Sequence, residues 1–132
     1  MIVERNGHSV LVVEDDREVN QLVGEYAKIC GYEYRSALTG LGGLAEARTR
    51  HPALVILDLM LPDVTGFDVC RELKSDAGTR HIPVIMLTAM TGDENKEKGR
   101  QCGAVDYLTK PFDPDQLIRS IAKHAKVEHE SK

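Results

Sequence analysis

Glu14, Asp15 and Asp16 stand at the end of the apolar run SVLVV; Asp58 ends ALVIL, Thr88 ends PVIML, and Lys110-Pro111 follows DYLT. If these run ends meet, three or four carboxylates, one hydroxyl and one ammonium share a site. Carboxylates packed a few ångströms apart cannot all stay ionised unless a cation compensates them. An all-oxygen donor set suits Mg2+, with Mn2+ as a substitute, because Mg2+ prefers one or two carboxylates, several waters and a phosphate oxygen to a full protein cage. Lys110 offers a point charge and Thr88 a hydroxyl to an oxyanion. The pattern therefore predicts that Asp58 takes up a phosphoryl group as nucleophile, with Glu14 and Asp15 as the metal-holding acid pair. Alone, Asp58 would read as an Asx turn before Leu61-Pro62; the constellation reverses that reading.

Convergence needs elements that bring those run ends to one edge. Apolar runs alternate with amphipathic stretches five times, at 9–14, 32–37, 53–58, 83–88 and 106–109, which is the pattern of a parallel sheet with crossover helices. The expected fold is α/β and flavodoxin-like, a doubly wound five-stranded parallel sheet of order 2-1-3-4-5 with five helices. Ligands of such sheets bind outside the carboxyl ends of the strands. The first helix places Val19, Leu22, Val23, Tyr26 and Cys30 at helical spacing, with Gly31 suited to a left-handed cap. The second, after Thr39 as N-cap, carries Leu41, Leu44, Ala45 and Ala47 but is weakened by Gly40, Gly42 and Gly43. Gly66 is expected in the loop before the third helix. The fourth, around 93–102, has almost no apolar stripe and must be anchored mostly by its ends. Leu117, Ile118, Ile121, Ala122 and Ala125 give the fifth a core face.

The 132 residues suffice for one well-buried domain. We expect an arm over 1–7, the domain over 8–126, and a polar tail or linker start over 127–132. Cys30, Cys70 and Cys102 lack any C-x-x-C pair and read as free thiols, and the five histidines show no metal-ligand spacing. A formal net charge of −4 argues against general nucleic-acid affinity. With no long apolar span and no signal-peptide core in MIVERNGHS, a cytoplasmic protein without a membrane segment is the default.

VLVVEDD, VILDLMLPDVTG, VIMLTA and GAVDYLTKPF occur in order and together resemble the receiver domain of two-component response regulators over about residues 8–126. The resemblance implies Asp58 as phospho-acceptor, Glu14 and Asp15 as metal-binding pair, and the main-chain carbonyl of Met60 as a further ligand. It implies Thr88 as the switch hydroxyl, Lys110 as its ammonium partner, Tyr107 as an aromatic switch and a cis Lys110-Pro111 bond. Asp16 reads better as a solvated helix N-terminal residue. The donor would be a phosphohistidine on a sensor histidine kinase or a histidine phosphotransfer protein. Output would run to a downstream partner or attached domain, and the domain would be a signalling phospho-acceptor rather than a turnover enzyme.

Two departures stand out. Met60 and Met90 occupy positions that are polar in many relatives. Glu97, Arg100 and Ser120 replace residues that often build a dimer, so a largely monomeric domain is expected. Three rival readings are weaker. A flavin carrier needs a phosphate-cradling loop where EDDRE stands, and an aspartyl-phosphate phosphatase needs a carboxylate where Met60 stands. A phosphorylation-independent binding module is disfavoured because the acidic, Thr and Lys positions are all filled.

Overall fold

β1 (Ser9–Val13) is buried at every position, as a strand covered on both faces must be. A computed structural model describes residues 8–126; the expected arm and tail lie outside the described residues. From β1 the chain passes through α1 (Arg17–Ile29), β2 (Glu33–Ala37), α2 (Gly40–Arg50), β3 (Leu54–Leu57) and α3 (Gly66–Ser75). It continues through β4 (Val84–Thr88), α4 (Asp93–Gln101), β5 (Asp106–Thr109) and α5 (Pro114–His124). The strands form one parallel sheet of order β2-β1-β3-β4-β5, as the alternation predicts.

Register sets the carboxyl edge. Val13 pairs with Leu57, and Thr88 with Thr109, so Glu14, Asp58, Thr88 and Lys110 leave the sheet at one end. Glu14 and Asp58 lie one residue beyond their strands rather than inside them, which frees both side chains from the sheet's alternation.

Successive strand residues feed opposite faces. Leu11, Val13, Val55 and Leu57 pack with Leu44, Phe67 and Leu73, whereas Val10, Val12, Leu54 and Ile56 pack with Val23, Ala27, Leu117 and Ile121.

The helices depart from their expected faces in detail. Leu22 and Leu41 are 47% and 60% exposed, and Ala45 and Ala122 are also exposed. α2 instead turns its glycines inward: a Cβ on Gly43 would lie 2.8 Å from Val13, and one on Gly40 2.3 Å from Val64. Two residues that weaken α2 as an isolated helix let it pack closely, Gly43 against β1 and Gly40 against the loop after β3. Gly66 is the first residue of α3, behind Thr65 as N-cap, and not part of the loop. Its missing side chain is required there, since a Cβ would meet the Asp58 carbonyl oxygen at 2.3 Å. Gly31, at φ 94°, ends α1 as expected, and Thr39 caps α2 by accepting from the Gly42 amide. In α4 Gly99 is the buried residue, against the Tyr107 ring.

Candidate functional site: an acidic edge closed by one lysine

Glu14, Asp15 and Asp58 each place a carboxylate oxygen within 4.8 Å of the others. Glu14 and Asp58 are buried and Asp15 is exposed. Lys110 enters from the end of β5 and donates to both buried carboxylates, to Glu14 Oε1 and, at 3.1 Å, to Asp58 Oδ2. The structure thus brings together the three acids and the lysine that the sequence selects.

Backbone amides complete the arrangement. The Met60 amide donates to Asp58 Oδ1 at 3.2 Å, and the Asp16 amide to Glu14 Oε2 at 3.0 Å. The Asp16 side chain caps α1 by accepting from the Glu18 and Val19 amides, the role expected for it. Thr88 is fully buried and its Oγ1 accepts from the Met90 amide at 3.2 Å, bonding its own loop. Tyr107, in β5 beyond α4, donates its hydroxyl to the Met90 carbonyl at 2.6 Å. The Met60 side chain is 61% exposed at the rim, and Lys110-Pro111 is cis.

Electrostatics follow from burial and from the crossing charges. Burial pushes the Glu14 carboxyl above its ordinary value, against the Lys110 and Asp16 hydrogen bonds, and the Asp58 charge adds to the rise. Burial alone would lower Lys110, but the Glu14 and Asp58 contacts outweigh it and hold the ammonium above its usual range. Burial, then the Asp58 charge, raises the Tyr107 hydroxyl. With all three carboxylates ionised against one ammonium, two negative charges remain for a divalent cation to match.

Two supporting residues escaped the sequence reading. Asn20 is buried under the end of β1 with its amide on backbone carbonyls. Asp63, in the loop after β3, accepts from the Gly40 and Leu41 amides at 2.8 and 2.9 Å and so holds the start of α2. Hydrogen bonds from the Leu41 and Gly40 amides lower the Asp63 pKa. A helix N-terminus capped from another element leaves no local sequence signal. Elsewhere Cys70 and Cys102 are buried free thiols, as expected, and among the described residues the acid trio is the one group of three or more ligating side chains suited to a metal ion.

The doubly wound parallel sheet carries an acid cluster and one lysine at its carboxyl edge, the arrangement expected of a receiver domain. The chain belongs to the response regulator receiver domain family, which it matches over residues 10–122. It is 42% identical over 112 residues to the DNA-binding dual master transcriptional regulator RpaA of Synechocystis sp., covering 85% of this chain and 46% of RpaA. It is 38% identical over 115 residues to the phosphate regulon transcriptional regulatory protein PhoB of Pseudomonas aeruginosa, covering 87% of this chain and 50% of PhoB. The solved structure of the Vibrio cholerae chemotaxis protein CheY4 superposes with a TM-score of 0.82 at 31% identity, covering 89% of this chain and 98% of that one. The chain spans about half the length of the curated transcriptional regulators it matches. Receiver domains of this family work with histidine kinases and output domains. Among the described residues no helix is long and apolar enough to cross a membrane.

Proposed function

We propose that Asp58 accepts a phosphoryl group from a phosphohistidine of a sensor histidine kinase or histidine phosphotransfer protein. The observation that carries this reading is the pair of buried carboxylates, Glu14 and Asp58, bridged by Lys110 at the carboxyl edge of the sheet. A carboxylate oxygen of Asp58 forms the new O–P bond while the P–N bond of the donor breaks, and the imidazole nitrogen leaves with the bonding pair.

The donor set fits Mg2+, or Mn2+ in its place: oxygen ligands only, within one small cluster, with two negative charges left over. Glu14, Asp15, Asp58 and the Met60 carbonyl are the groups that would hold it. Such an ion supplies charge neutralisation on the transferring oxygens. Lys110, already on Asp58, meets the charge brought by the phosphoryl group, and Thr88 supplies a hydroxyl from the neighbouring strand end. Movement of Thr88 carries its loop, and with it Tyr107, to the α4–β5 side of the domain, where a partner or attached output domain reads the change.

The domain then signals by altered surface rather than by turnover of a product, in the cytoplasm, without binding nucleic acid itself. It acts largely as a monomer: Ser120 donates to Asp106 at 2.6 Å, and Arg100 pairs with Glu97 on its own helix, so these groups are satisfied within one chain.

Intact-mass measurement after incubation with acetyl phosphate tests the reading. One phosphoryl adduct that requires Mg2+ and disappears in Asp58→Asn is the expected result. No adduct under any condition would return the chain to a phosphorylation-independent binding module.

A further inference from the structure

Asn20 is 1% exposed, an unusual place for an amide side chain unless its polar atoms are used. Its Nδ2 lies 2.9 Å from the Glu14 carbonyl and 3.2 Å from those of Val12 and Ala37, so a single amide spans the ends of β1 and β2. Its Oδ1 accepts from the Tyr34 hydroxyl of β2, which fixes which edge of the amide faces the carbonyls. Gly24 makes room for that tyrosine, since a Cβ there would lie 2.6 Å from the ring.

The turn that carries the acid pair is therefore held on both sides. Upstream, Asn20 grips the Glu14 carbonyl; downstream, the Asp16 amide donates to Glu14 Oε2 while the Asp16 side chain caps α1. The Asn20 backbone N–H donates to the Asp16 carbonyl at 2.9 Å, closing the first turn of the helix onto the same segment. Asp15 sits between two fixed peptide units with its own side chain exposed at the site. A ligand side chain on a turn fixed in this way loses little freedom when it is used.

We propose that Asn20, oriented by Tyr34, is a positioning residue that aims the Glu14–Asp15 turn at the divalent-cation site. This rests on the receiver reading above and adds to it a determinant outside the acid cluster. The Nδ2 donors matter and not the side-chain length: Asn20→Ala removes the grip, and Asn20→Asp removes the donors while retaining the size.

The test is Mg2+ titration of the unphosphorylated protein by calorimetry, alongside urea unfolding, for wild type, Asn20→Ala, Asn20→Asp, Tyr34→Phe and Thr79→Val. Thr79→Val loses a buried hydrogen bond to Leu73 far from the site and controls for lost stability alone. The expected result is Mg2+ binding weakened at least about tenfold in the Asn20 variants, as for other groups that orient metal ligands, and severalfold in Tyr34→Phe. Thr79→Val should lose stability with wild-type Mg2+ affinity. Tyr34→Phe, which lacks only a hydroxyl, carries the test if the Asn20 variants do not fold. Unchanged affinity in folded variants beside a wild type that binds Mg2+ overturns the proposal alone. A wild type that binds no Mg2+ overturns it together with the receiver reading.

Discussion

The Tyr107 hydroxyl donates to the Met90 carbonyl, and the Met90 amide donates to Thr88 Oγ1, so the ring and the buried hydroxyl grip one loop residue from opposite sides. Neither Thr88 nor Tyr107 can relocate without disturbing the other's bond. Phosphorylation of Asp58 should therefore shift the Tyr107 ring resonances in a carbon-13 tyrosine spectrum. In Thr88→Ala the adduct should still form while the ring shift is lost. An undiminished shift in that variant would separate the aromatic from the threonine.

Among the described residues Lys110 is the one cation paired with the two buried carboxylates, and it is itself only 20% exposed. Removing one partner of a buried ionic cluster leaves uncompensated charge, with a cost at the lower end of about 3–5 kcal/mol because the lysine retains some solvent. Lys110→Met should lower the urea midpoint accordingly, and added Mg2+ should restore part of the loss. A midpoint equal to wild type would show that the carboxylates are compensated by other means.

Met60 and Met90 flank the site with side chains unable to orient an attacking water. Met60 stands exposed at the rim, and Met90 packs partly against the core. The phosphorylated state should be long-lived, and Met60→Asn with Met90→Glu should shorten it severalfold. Decay of the adduct, followed by mass after removal of the donor, gives the answer; equal rates would sink the idea.

Burial pushes the Cys70 thiol up to about 12 from its ordinary 9.0. The native state keeps this proton while the unfolded chain loses it, so stability is fully present below pH 9.0 and declines as pH rises toward about 12. The slope for this group is about 1.4 kcal/mol per pH unit. Cys70→Ala lacks the effect, so the gap between its urea midpoint and that of wild type should narrow between about pH 8 and about pH 10. A constant gap would mean that Cys70 ionises alike in both states.

The strand order and the acid trio with Lys110 were legible because both follow from a general rule: apolar runs of strand length end at a common edge, and whatever ends them meets there. Leu41 and Ala45 were misplaced because periodicity credits apolar side chains, whereas α2 seats itself through Gly40 and Gly43, whose value lies in having no side chain. Asn20 and Asp63 were invisible for a different reason. Their partners, Tyr34 and Ala37 for one and Gly40 and Leu41 for the other, belong to other elements, so only the assembled fold gives these polar residues a task.

α4 rests on the domain through little more than Gly99 against Tyr107 and the Lys98 ammonium 4.5 Å above the Phe67 ring. A segment with so little buried apolar surface opens locally at far lower free energy than the whole domain unfolds. Its amide protons should exchange through that local opening, and its outward side chains can diverge without disturbing the sheet. Drift in the chemistry of this surface is thus nearly neutral for folding, which lets one scaffold be retuned to different listeners while the acidic edge stays fixed.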